Sequence, residues 1–124
     1  MSLREIGILI IGLVLLLPAC SSGMRTPENS FAIEAARRGL WKEATFYWEK
    51  LVAKYPDVAK YHNNLAIAYE NAGDYEKALA EYQTALKLEP GNSIIKKNYG
   101  NFREFYIRQK GKIKSEKKEE GEDK

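Results

Sequence analysis

Few residues in this chain could do covalent or metal chemistry. Among 124 residues there is one cysteine, Cys20, and one histidine, His62. A nucleophile needs a base within hydrogen-bond reach, and a structural zinc ion needs four sulfur or nitrogen ligands. One thiol and one imidazole supply neither that zinc site nor an intramolecular disulfide. His62 falls at the start of a helical pattern, where packing is its ordinary role. The acidic pairs Glu43 with Glu49 and Glu76 with Glu81 fall on outward helix faces, where carboxylates are solvated and pairing energies are small. The sequence therefore reads as a non-enzyme with no cofactor and no metal site. A net charge of +3 spread along the chain also lacks the concentrated basic face of a nucleic-acid binder.

Cys20 takes its meaning from what precedes it. In MSLREIGILIIGLVLLLPAC, Arg4 is followed by an apolar run from Ile6 to Leu17 and then Pro18-Ala19. Such a run reaches roughly 18 Å as a helix, short of the ~30 Å hydrocarbon core. A charged start, a short apolar stretch and a small residue before a cut site make residues 1–19 a secretory signal peptide. Leu17, Ala19 and Cys20 further resemble the lipobox of bacterial lipoprotein signals. That resemblance implies cleavage before Cys20, a diacylglycerol thioether on its sulfur, acylation of the new amine and a lasting membrane anchor, since several chains hold firmly where one does not. An uncleaved anchor and an ordinary secretory signal with an incidental cysteine are the competing readings. Ser21, where an inner-membrane retention signal would carry Asp, implies the outer membrane facing the periplasm in a Gram-negative host. Residues 20–27 then form the lipidated cysteine and a polar tether.

Beyond the tether the chain repeats itself. At an offset of 34 residues Gly39 falls on Gly73, Ala44 on Ala78, Trp41 on Tyr75, Trp48 on Tyr82 and Pro56 on Pro90; Asn29 meets Asn63, Ala32 meets Ala66 and Ile33 meets Ile67. Small residues stand where helices must approach closely, and Leu65, Tyr69, Tyr82 and Leu86 make an apolar stripe on each helix. Gly73 suits a left-handed helix end, Asp74 a helix cap and Pro90 a helix stop. Period and residue set resemble the tetratricopeptide repeat, a helix-turn-helix unit. The second copy follows the pattern closely; the first departs from it at Phe31 and Ala35.

A third, truncated unit follows Pro90. Asn92 is a possible cap, and Ile94, Ile95, Tyr99, Phe102 and Tyr106 lie on or near one face. Residues 93–109 read as a capping helix that closes the stack. The alternative is that Phe102, Phe105 and Tyr106 form a docking surface through which two copies associate. The charged segment 110–124 offers only Ile113 to bury and is expected to be disordered. Helices are predicted at about 28–38, 42–54, 59–72, 75–88 and 93–109. The fold is all-α, a short helical-hairpin solenoid over 28–109 with two repeats and a C-terminal capping helix.

The resemblance also implies a concave groove lined by the first helix of each repeat. The matching positions are Asn29, Ile33 and Arg37; Asn63, Asn64, Ile67 and Asn71; and Lys97, Asn98, Asn101 and Arg108. This asparagine-rich, mildly basic lining suits the backbone of an extended peptide, although Asn63, Asn64 and Asn98 equally suit helix packing. Only Asn64 matches the two-carboxylate clamp known in the family, so that clamp is lacking. The expected function is a lipid-tethered adaptor or assembly factor of the bacterial cell envelope with a protein or peptide partner. The alternative is a self-associating structural component joined through residues 93–109, without a peptide ligand.

Overall fold

The computed structural model describes residues 26–122. The signal segment, Cys20 and the tether up to residue 25 lie outside them. Five helices follow one another: α1 (Pro27–Arg37), α2 (Trp41–Lys54), α3 (Ala59–Ala72), α4 (Tyr75–Leu88) and α5 (Ser93–Glu122). The two middle helices fall where the pattern put them. The first two each begin one residue early: in α1 Thr26 Oγ1 accepts the Asn29 N–H at 3.2 Å with Pro27 at the first helical position, whereas α2 starts after Leu40 with no side-chain cap.

Both hairpins turn by the same device. Gly39 and Gly73 take positive φ of 74° and 87°. Past each glycine an N–H reaches back five residues, from Leu40 to the Ala35 carbonyl and from Asp74 to that of Tyr69, both at 2.9 Å. This pair of bonds satisfies carbonyls that the helix end leaves open. The Asp74 side chain makes no capping bond, contrary to expectation; the backbone turn leaves it exposed to solvent. Asn92 does cap, its Oδ1 accepting the N–H groups of Ile94 and Ile95 at 3.0 and 3.2 Å.

A single core runs through the stack. Ala32, Ala44, Ala66 and Ala78 are fully buried at the helix contacts, and Trp48, Leu51, Tyr61, Leu65, Tyr69, Tyr82, Phe102 and Tyr106 fill the space around them. A smaller cluster joins Ala59, Ala85 and Ile95. Burial of each large apolar side chain contributes ~1.5–3 kcal/mol before ordering costs.

The last helix departs from expectation in two ways, its length and the side on which Ile94 lies. It does not stop at residue 109 but continues through Glu122, so most of the segment expected to be disordered is helical. The reason lies 34 residues after Gly73, where Ile107 stands instead of glycine. A β-branched residue resists the left-handed backbone, and the Lys, Glu and Gln that follow are good helix formers. Lys110 supports the extension by placing Nζ 4.7 Å from the Tyr106 ring centroid. Phe102 and Tyr106 are buried and Phe105 packs edge-on against Tyr75, so these aromatics do not form the free surface considered for self-association. Ile94 points outward instead of joining the inner stripe.

Candidate functional site

The groove starts from α1 and α3, the first helices of the two hairpins. Between them opens a cleft of about 470 Å³ lined by Ile33, Ala36, Arg37, Trp41, Trp48, Lys60 and Asn64. Its floor is apolar and aromatic. Arg37 and Lys60, both exposed, bring two positive charges to it, and Asn64 adds an amide able to donate and accept. Ile33, Arg37 and Asn64 are thus brought together. Lys60, Trp41 and Trp48 belong to the same cleft although the groove positions did not include them; Lys60 lies one helical turn before Asn64 on the same face.

Two of the groove asparagines turn inward. Asn29 is buried and its Oδ1 accepts the Trp48 indole N–H at 3.1 Å, tying α1 to α2. Asn63 is buried and accepts from Asn98 Nδ2 at 3.1 Å, tying α3 to α5. Both bonds use amides to satisfy polar groups inside the stack, where leaving them unpaired would cost ~1–3 kcal/mol each. Ile67 is half-buried against the core. Asn71 donates to the Ile67 carbonyl at 2.8 Å and borders a separate cleft of about 330 Å³ with the 39–43 turn. Lys97, Asn101 and Arg108 are exposed along α5, away from the α1–α3 cleft.

Glu49 and Glu76, expected on solvated faces, and Glu70 beside them accept hydrogen bonds from buried side chains. The Tyr69 hydroxyl donates to Glu49, that of Tyr82 to Glu70 at 2.9 Å and that of Tyr106 to Glu76 at 3.2 Å. Each tyrosine thereby fastens its helix to the one before it. Burial foremost, then the bonded carboxylate, pushes the Tyr69 and Tyr82 phenols well above the usual tyrosine range. Glu81 lies 2.6 Å from His62 Nδ1, while His62 Nε2–H donates to the Pro56 carbonyl at 2.7 Å. His62 is therefore a structural bracket joining the inter-hairpin loop, α3 and α4. Among the described residues no three His, Cys, Asp or Glu side chains gather as a metal site, and no helix is long and apolar enough to cross a membrane.

Residues 59–92, which are α3, α4 and the turn after them, match the family described as "Tetratricopeptide repeat". The fold is a short all-α solenoid of that kind. Such repeats point to protein–protein interaction. The chain is also 37% identical over 54 residues to Protein O-mannosyl-transferase TMTC4 of Mus musculus, a stretch covering 44% of this chain and 7% of that protein. The match thus spans only a small part of that relative's length.

Proposed function

We propose that this chain is a membrane-tethered adaptor of the bacterial cell envelope, a lipoprotein anchored at Cys20 that holds a protein partner in the α1–α3 cleft. In a host with two membranes it stands on the outer membrane and faces the periplasm. The cleft itself carries the reading: an apolar floor of Ile33, Trp41 and Trp48 beside Arg37, Lys60 and Asn64 offers both buried contact and polar orientation to a peptide segment. The repeat match supports an interaction role, and the Leu17-Pro18-Ala19-Cys20 stretch supports the anchor. No catalytic step is assigned.

The experiment is crosslinking in the host from a photoreactive residue in place of Ile33, with Arg37→Glu/Lys60→Glu as the comparison. A partner adduct that the charge reversal abolishes supports the cleft; an adduct unaffected by it rejects the cleft. Palmitate labelling that persists in Cys20→Ala rejects the anchor. A second reading, self-association through α5, is favoured by the outward Ile94 and Ile107. Light scattering that gives a monomer rejects it, and a dimer lost on Ile107→Glu supports it.

A further inference from the structure

The first hairpin exposes two aromatic rings that meet on a third, partly buried one. Phe31 on α1 and Phe46 on α2 are 58% and 52% exposed. Both rings lean on Tyr47, at centroid distances of 5.9 and 5.5 Å. Lys50 lies across Phe46 with Nζ 4.3 Å from the ring centroid. The repeat register explains the exposure. Leu65, the counterpart of Phe31 in the second hairpin, is only 2% exposed. No hairpin precedes α1 among the described residues, so Phe31 keeps an apolar side chain without that cover.

From this patch and its distance along the chain from the anchor, we infer that Phe31 and Phe46, backed by Tyr47, rest on the lipid surface, inserting at headgroup level. The inference rests on the tethered reading above. Thr26, where α1 begins, lies six residues after Cys20 and nine after the end of the apolar run. At no more than ~3.6 Å per residue these lengths span at most about 22 and 32 Å, comparable to the roughly 30 Å width of a domain this size. Whichever anchor holds, the first hairpin is the part of the domain kept at the bilayer. Aromatic rings beside lysine suit the membrane interface, where rings settle among headgroups and cations meet anionic lipid. Lys42, Phe46 and Lys50 follow one another at helical spacing on α2, so the cations flank that ring; Glu43 and Glu49 on α2 and Glu28 and Glu34 either side of Phe31 are the nearby acids, so the rings and not net charge carry the contact. A second copy fits less well. Two half-exposed aromatics fall short of the ~800 Å² per partner that a stable protein interface buries, whereas a bilayer sets no such minimum.

The test uses the full chain with its anchor in vesicles of phosphatidylethanolamine and phosphatidylglycerol. A benzophenone amino acid replaces Phe46 or, as a control, Gln83, which is exposed on α4. After illumination, lipid adducts at position 46 should exceed those at 83 by about tenfold, in keeping with a headgroup-level contact. In Phe31→Glu with the probe at 46, adducts should fall while the chain stays in the vesicle fraction. A membrane-bound chain with equal adducts at both positions would overturn this inference and leave the tether standing. So would a crosslink at 46 to a second copy or to another protein. Release of the whole chain from the vesicles would overturn the tether and this inference together.

Discussion

Ile107 occupies in α5 the place that Gly73 holds at the end of α3. The two stand 34 residues apart, with Gly39 a further 34 before. Where glycine stands the chain reverses, and where isoleucine stands it runs straight on to Glu122. One position therefore separates a hairpin from a long terminal helix.

Ile107→Gly should weaken that continuation by about 0.5 kcal/mol, the difference in helix propensity between isoleucine and glycine. Amides after residue 107 should then exchange with deuterium roughly twofold faster, while those of α3 keep their protection. Unchanged exchange beyond 107 would show that this residue does not hold the helix straight.

The converse change is Gly73→Ala. A Cβ there meets nothing within 4 Å, so the cost comes from the positive φ alone. An L-residue held in that region loses about 1–2 kcal/mol. For a domain of this size the midpoint of thermal unfolding should fall by roughly 4–8 °C or more.

Trp48→Phe should keep the ring in the core but leave the buried Asn29 Oδ1 without its donor. The expected loss in urea unfolding is ~1–3 kcal/mol. Adding Asn29→Ala should cost less than the sum of the two single changes, because the same bond is lost in both. Full additivity would deny the coupling.

Alkaline pH should loosen the stack. The Tyr69 and Tyr82 phenols titrate higher in the fold than the ordinary value near 10, so the fold favours their protonated form. Their contribution is complete below about pH 10 and is lost as pH rises from there through the folded values. The urea midpoint should fall in that range, and Tyr82→Phe should make the fall shallower.

Much of this architecture was legible in residue spacing. Gly39 and Gly73 marked the turns because few other residues accept that backbone, and Ala66 and Ala78 marked the close contacts because only a methyl fits. Less legible were features that depend on distances between helices. Asn29 and Asn63 match groove positions by register, yet a donor on a neighbouring helix, Trp48 or Asn98, draws each inward. Glu49 and Glu76 read as solvent-facing, but tyrosine hydroxyls span the gap from the next helix. The two tryptophans joined the cleft because α2 as well as α1 forms its wall, and Lys60 because it stands one turn before Asn64 on α3. The straight run of α5 was in principle visible at position 107.

With 30 residues at 1.5 Å of rise each, α5 is about 45 Å long, against about 21 Å for the 14-residue α4 beside it. The described residues are shaped like a paddle with a handle. A fluorophore or affinity tag fused at the far end of that handle would stand clear of the cleft, and the molecule should tumble as an elongated body, with slower and more anisotropic rotation than its mass implies.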